Sequence, residues 1–324
     1  MKRLSLGVLA SVVLGLAASP LAAANAANSK PSTHVVSRNA TGAAAPRLDA
    51  KATAAAYSAQ VNIVTRVQGT SFFRTAIDIT NNTNTDGVVA QIQYCYVFNG
   101  TFQCTASQDV ALQPLDNFHQ DDMVAYLGTL GVLVPGAEAL SFGTLLVTFQ
   151  NLPSNFGWEG TVTARTYSPY DQSNPALGTV AIAYPGSLFF ESANTTLVAT
   201  IRDTQTAPTD AGALRTNLGI TNTDLNGAGP VNVSLSFYDP STGQAVGNVL
   251  TINALAPGEV RQINNVFTAA AIPAAIQSLI VFADITSPTT GFPTIEGYVN
   301  ILDGGTQDGA FFEMKCADTE GCGN

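Results

Sequence analysis

The chain has 324 residues, 46% of them hydrophobic and only 11% charged, and its 13 Lys and Arg against 23 Asp and Glu leave a net charge of −10. An acidic surface repels polyphosphate, which argues against nucleic acid and anionic membrane as partners. Sparse charge, with Thr, Asn, Ser and Gly carrying the polar surface, fits an extracellular β-protein.

The N-terminus reads as a secretory signal. Lys2 and Arg3 precede an apolar run from Leu4 to Leu16, and small residues end in Ala24-Asn25-Ala26, so residues 1–26 form a signal peptide cut after Ala26. Residues 27–58, rich in Ala, Ser, Thr and Pro without sustained periodicity, read as a flexible leader with a short helix near Leu48 to Tyr57. No membrane span is expected later, since the best apolar stretch, from Met123 to Phe149, is broken by Gly128, Gly131, Pro135, Gly136, Glu138 and Gly143.

Beyond the leader the chain repeats itself weakly. Phe73-Arg74-Thr75-Ala76-Ile77-Asp78-Ile79-Thr80-Asn81 corresponds to Leu214-Arg215-Thr216-Asn217-Leu218-Gly219-Ile220-Thr221-Asn222. Val88, Ala90, Ile92 and Tyr94 then match Val231, Val233, Leu235 and Phe237; Phe118-His119-Gln120 matches Val260-Arg261-Gln262; Glu159-Gly160 matches Glu296-Gly297; Phe189-Phe190-Glu191 matches Phe311-Phe312-Glu313. Collinear matches predict a duplicated folding unit, residues 59–193 and 194–324.

Each copy reads as short strands whose apolar residues alternate with polar ones, as in a sheet with one face in a core. The expected strands of the first copy are Val61–Val67, Phe72–Thr80, the strand from Val88, Thr101–Leu112, Thr144–Phe149, Gly160–Tyr167 and Leu188–Glu191. Those of the second are Thr196–Arg202, Leu214–Thr221, the strand from Val231, Val246–Ile252, Ser278–Ile285, Gly297–Leu302 and Ala310–Glu313. One short helix interrupts each copy, Asp121–Leu130 with an acidic N-cap and Asn264–Ala271 capped by Asn264. The fold expected is all-β: two tandem Ig-like antiparallel β-sandwich domains, each with one short helix, after the signal peptide and leader.

Of the four cysteines, Cys95 and Cys104 flank Asn99-Gly100, the dipeptide of a two-residue type I′ hairpin. Counting outward from the turn sets Cys95 opposite Cys104 as a non-hydrogen-bonded pair, where side chains come closest, and predicts a disulfide on the more polar strand face. Cys316 and Cys322 are expected to close a second, C-terminal bridge.

The chain resembles tandem β-sandwich repeats of uncharacterised secreted bacterial proteins, a family with no known activity. The resemblance rests on residues 214–222, the alternating strand to Tyr238-Asp239, and Ala256-Pro257-Gly258 leading to Arg261-Gln262-Ile263-Asn264. It covers the second copy well and the first more loosely, where Leu115-Asp116-Asn117 lacks the Pro-Gly. It implies a fold and a bacterial secreted or periplasmic location.

The inventory for catalysis is thin. His34 lies in the leader, and His119 beside Asp121 and Asp122 has no nucleophile motif with it, so it reads as a polar loop histidine. Asn82, Asn84 and Asp86, and Asn222, Asp224 and Asn226, place oxygen side chains at alternate positions before a Gly, as a calcium loop opens. Each set holds one carboxylate and lacks the Glu at the twelfth position, so turn chemistry is the preferred reading and weak calcium binding the alternative. Arg66, Arg74 and Glu159 recur as Arg202, Arg215 and Glu296 and are expected to form Arg–Glu pairs or carbonyl contacts inside each sandwich. Trp158, Tyr167 and Tyr170 form the one suggestive aromatic surface for a ligand.

These features favour a non-enzymatic extracellular interaction or structural module, adhesive or structural in use, with an unknown extracellular protein or glycan as partner. A carbohydrate-binding module and a secreted carboxylate-dependent hydrolase are the alternatives.

Overall fold

The computed structural model describes residues 34–36, 55–68, 72–152, 159–169, 171, 173–174, 176, 178–188, 194–206, 212–224, 229–286, 293–304 and 308–317. The expected signal peptide, most of the expected leader, Trp158, Tyr170, Asn226, Cys322 and the Phe189-Phe190-Glu191 run lie outside them. Residues 31–324 belong to a single compact unit.

The architecture is all-β and antiparallel, with two short helices. In chain order the first strands are β1 (His34–Val36), β2 (Ala55–Gln68), β3 (Phe72–Asn81), β4 (Val88–Phe98), β5 (Thr101–Cys104), β6 (Gln108–Leu112) and β7 (Asn117–Gln120). Helix α1 (Met123–Thr129) follows, then β8 (Ser141–Leu152), β9 (Gly160–Pro169), β10 (Thr179–Pro185) and β11 (Ser187–Leu188). All eleven strands share one sheet that folds over itself. One layer carries β3 between β7 and β9, the other carries β8 between β2 and β4, and the short β2–β3 hairpin joins them. Between the layers lie Val61, Ile63, Ile77, Ile79, Ile92, Tyr94, Leu145, Val147 and Phe149, closed at one end by Met123, Val124 and Leu127 of α1.

The second half comprises β12 (Thr196–Arg202), β13 (Leu214–Asn222), β14 (Val231–Tyr238), β15 (Leu250–Leu255), β16 (Val260–Ile263), α2 (Val266–Ala269), β17 (Ser278–Ile285), β18 (Ile295–Asp303), β19 (Gly309–Glu313) and β20 (Lys315–Cys316). One sheet runs β15-β14-β17-β12-β20 and the other β16-β13-β18-β19. Leu218, Ile220, Ile295 and Val299 from the second meet Leu197, Val233, Leu235, Phe237, Leu279 and Val281 from the first, with Val266 and Phe267 of α2 beside them. Here β13 lies between β16 and β18 as β3 lies between β7 and β9.

Several sequence expectations shift. The strand expected at Thr101–Leu112 is two strands, because Thr105-Ala106-Ser107 opposes only Gln93 and Tyr94 of β4 and so inserts one extra residue, a bulge. Tyr94 N–H donates to Thr105 Oγ1 at 3.1 Å inside this bulge. The strand expected at Val246–Ile252 sits later, at β15. Helix α1 is capped by Asp122, whose carboxylate accepts from Ala125 N–H at 3.0 Å, while α2 is capped by Asn265 and not Asn264. Part of the expected flexible leader is paired: His34–Val36 lies antiparallel on β7, and β2 begins at Ala55.

The two halves meet along a buried seam. Strand β3 alternates between core and partly exposed residues, whereas β13 is buried on both faces from Thr216 onward and β18 from Ile295 to Asn300. Their second face packs on the first half. Asn62 Nδ2 donates to Glu296 Oε2 at 3.2 Å, Thr221 Oγ1 donates to Asn62 Oδ1 at 3.1 Å, and Thr144 Oγ1 donates to the Gly258 carbonyl at 2.6 Å. Asn300 Nδ2 donates to the Tyr184 hydroxyl at 3.2 Å, and Phe311 lies edge-on to Tyr184 and stacked on Tyr298. Gly219 is required here, since a Cβ would stand 2.0 Å from the Tyr298 ring.

Candidate functional site

The Asn-rich loops are built around a buried asparagine in each half. Asn81 Nδ2 donates to the carbonyls of Asp86 at 2.9 Å, Leu112 at 3.3 Å and Gln113 at 2.9 Å, while its Oδ1 accepts from Thr83 N–H at 2.9 Å. Asn222 repeats the scheme, donating to the carbonyls of Gly229 and Leu255 and accepting from Asp224 N–H at 3.0 Å. Both asparagines are fully buried. The amide thus satisfies backbone groups that the loop would otherwise bury unpaired. Of the calcium-loop candidates, Asn222 spends its side-chain oxygen on a backbone N–H, Asn82 Nδ2 faces Thr161 at 3.5 Å, and Asp86 accepts from Thr85 Oγ1 at 2.5 Å. Asn84 is exposed and Asp224 buried.

A second matched device lies next to each asparagine. Asp116 Oδ2 accepts from Gln113 N–H at 2.8 Å, and Glu259 Oε2 accepts from Ala256 N–H at 2.8 Å, each three residues back. The residue before each acid has a left-handed backbone, Leu115 at φ 62 and Gly258 at φ 79. Asn81 N–H donates to the Asp116 carbonyl and Asn222 N–H to that of Glu259. These contacts put β7 and β16 in the same register on β3 and β13, so His119 corresponds to Gln262. The sequence pairing of His119 with Arg261 was one residue out.

His119 lies opposite Asp78 on the outer face of β7 and β3. Its Nδ1 is 2.9 Å from Asp78 Oδ1 and its Nε2 3.1 Å from Asp121 Oδ1. Partial burial disfavours the imidazolium, but the hydrogen bonds and charges of Asp121 and Asp78 outweigh it and raise the pKa above 6.5. With both nitrogens directed at carboxylates, the ring has no nitrogen left to serve as a general base.

Of the expected Arg–Glu pairs or carbonyl contacts, Arg66 makes a carbonyl contact, and the side-chain partners of Arg66 and Arg74 are an Asp and a Tyr. Arg66 Nε donates to Asp122 Oδ2 at 2.9 Å and its Nη1 to the Glu138 carbonyl at 2.5 Å, tying β2 to α1 and the loop after it. The Arg74 guanidinium lies 4.7 Å from the centre of the Tyr167 ring and that of Arg165 5.3 Å, because Arg74 and Tyr167 are register partners and Arg165 is two residues along. Tyr167 is buried, and its hydroxyl donates to the Asp121 carbonyl at 3.1 Å. It is therefore not an open platform for a ligand, a correction to the aromatic surface expected around it. Glu296 faces Asn62 in the seam.

The Cys95–Cys104 disulfide is present at the expected register pair, behind a turn in which Asn99 and Gly100 both have positive φ. Cys95 is nevertheless buried. Cys316 is also disulfide-bonded.

This hairpin forms one bank of an open groove of about 700 Å³ between the two halves. Val97, Gly100 and Phe102 of the hairpin, with Phe142 of β8, face Ala254, Ala256 and the stretch from Glu259 to Gln262. Sequence reasoning missed this site because its banks are more than 100 positions apart and each looks like an ordinary strand. The charges in it are mutually satisfied: Arg261 Nε donates to Glu259 Oε1 at 2.7 Å and its Nη1 to the Asn253 carbonyl at 2.6 Å. Gln262 Oε1 accepts from the Tyr298 hydroxyl at 3.0 Å. The groove thus offers an apolar bank and a polar strand edge, a surface suited to recognition.

No protein-family model matches the chain, and no curated protein matches it. Among solved structures it is similar to one from Parabacteroides distasonis ATCC 8503 described as a "putative secreted protein", at 11% identity and a TM-score of 0.18, over 81% of this chain and 84% of that one. That similarity is too slight to define a shared fold.

Proposed function

We propose that the chain is a bacterial secreted or periplasmic interaction module without enzymatic activity, built from a duplicated sandwich and recognising its partner in the groove between the halves. The observation that carries this reading is the groove itself. Its volume is that of a ligand site, its first-half bank is apolar, and its one Arg and one Glu are spent on each other and on the backbone. The Cys95–Cys104 disulfide supports an oxidising compartment. Among the described residues no helix is long and apolar enough to cross a membrane. The matched Asn81 and Asn222 networks and the matched acid turns support duplication, because independent invention of both in one order is improbable.

The test is binding of the purified chain to arrays of extracellular proteins and of glycans, with a Phe102→Ser, Phe142→Ser variant as control. Partner capture by the parent and not by the folded variant is expected. Turnover of a polysaccharide, ester or peptide substrate by the parent would contradict the reading. A carbohydrate partner is the second reading, favoured by Phe102 and Phe142 standing beside Gln262 and Asn264, since sugars stack on aromatic faces and bond to amides; groove-dependent signal on the glycan array alone would select it.

A further inference from the structure

We infer that the outer edge of β16 is a strand-acceptor site that binds an extended polypeptide segment antiparallel to it, along the groove. The inference deepens the proposed recognition role and rests on it, naming the class of partner.

Hydrogen-bonded and non-hydrogen-bonded pairs alternate along an antiparallel ladder. Asn222 N–H donates to the Glu259 carbonyl, so Arg261 and Ile263 make the bonds to β13, and the main-chain groups of Val260 and Gln262 point to the opposite side. On that side β16 ends its sheet. The same count on β7, starting from Asn81 N–H on the Asp116 carbonyl, turns the main-chain groups of Asn117 and His119 outward. There the edge is filled: β1 pairs on it antiparallel, with Val36 opposite Asn117 and His34 opposite His119. Asn117 and His119 correspond to Val260 and Gln262. One edge of the pair therefore holds an extended segment; among the described residues its counterpart holds none, and it borders the groove at the half-buried Gln262, Val260 being packed against the core of the first half.

The surroundings suit a peptide more than an accidental edge. Natural proteins protect open strand edges with charge, bulges or cover. Among the described residues the one cation lining the groove, Arg261, is folded back on Glu259 and the Asn253 carbonyl, and the accessible part of the edge is at the half-buried Gln262. Val97, Phe102 and Phe142 stand across the groove, where alternate side chains of an added strand would meet them. Main-chain bonds to the edge at Gln262 would supply affinity, and that apolar bank would supply the preference for β-branched or aromatic residues.

The probe is a fluorescein-labelled peptide of residues 31–39, Pro-Ser-Thr-His-Val-Val-Ser-Arg-Asn, which contains the segment that pairs with β7. Saturable binding to the full chain is expected by fluorescence anisotropy. Gln262→Pro removes an outward N–H while sparing the bonds to β13, and is expected to weaken binding by about tenfold or more. Because that variant also loses the bond from Tyr298, two further arms leave the strand intact: Phe102→Ser on the far bank, and a peptide N-methylated at alternate residues, each expected to weaken binding similarly. Asn117→Pro on β7 should leave it unchanged. Absence of binding, binding indifferent to all three changes, or binding lost only in Asn117→Pro would overturn the inference. So would a chain that dimerises on concentration and returns to monomer in Gln262→Pro, which would make a second copy the occupant. Failure of the peptide leaves groove-dependent capture on the arrays as a separate result.

Discussion

Asn62 on β2 and Glu296 on β18, 234 positions apart, meet side chain to side chain at 3.2 Å inside the seam between the halves. Both are nearly inaccessible to solvent. A buried carboxylate needs donors, and Asn62 supplies one while its own oxygen accepts from Gln60 and Thr221. This contact, with those of Thr144 and Asn300, ties the two halves together beside the groove.

Replacing Asn62 by Ala should therefore lower stability by about 1–3 kcal/mol, the cost of leaving a buried polar group short of a hydrogen bond. Urea denaturation at neutral pH measures this. A loss under about 0.5 kcal/mol, the size of a surface substitution, would show that the seam is wet or loose.

Asn81→Asp and Asn222→Asp keep the side-chain shape but turn donors into acceptors facing backbone carbonyls. Each should cost about 2 kcal/mol or more. The same loss is expected in millimolar calcium and in chelator, because the amides serve the backbone. A calcium-dependent rise in melting temperature would instead restore the metal-loop reading.

Leu115 holds a left-handed backbone at φ 62 where the matching turn has Gly258. A left-handed conformation costs a residue with a Cβ about 1–2 kcal/mol, more than the entropy that glycine forfeits. Leu115→Gly should raise stability by roughly 0.5 kcal/mol, read by thermal or urea unfolding, since the residue is 38% exposed and gives up limited burial. Destabilisation would mean that Leu115 packs more than its exposure suggests.

His119 makes stability depend on pH. Its pKa is raised in the fold, so the native state binds the proton more tightly than the unfolded chain does. The contribution is complete below the ordinary value of 6.5 and fades as pH rises through the higher folded value. His119→Gln should flatten that part of the stability profile, and its unfolding midpoint should fall below the parent's at pH 5.5 by more than at pH 8.5. Equal differences at both values would remove the imidazolium between Asp78 and Asp121 from the account.

The fold was legible wherever a local signal had a unique geometric answer. Asn99-Gly100 between apolar strands admits a tight hairpin, and the cysteine pairing followed by counting. Strands with one face in a core, such as β14, showed clean alternation and their bounds. The seam was not legible for the opposite reason. Asn217, Gly219 and Thr221 look like a solvent face, and only the partner half turns them into a buried one. Four-residue strands such as β7 and β16 carry too few residues for periodicity to register, so the edges that matter for recognition read as loops. Tyr167 looked like an exposed aromatic because Arg74 and Arg165, which cover it, lie on adjacent strand positions visible only in the register.

Hydrogen exchange at three backbone amides tests the central claim most directly. Asn117 and His119, capped by β1, should exchange slowly in the free chain, while Gln262 exchanges fast and becomes protected when the 31–39 peptide is added. Protection at Gln262 in the free chain, or none gained with peptide at saturating concentration, would contradict the account.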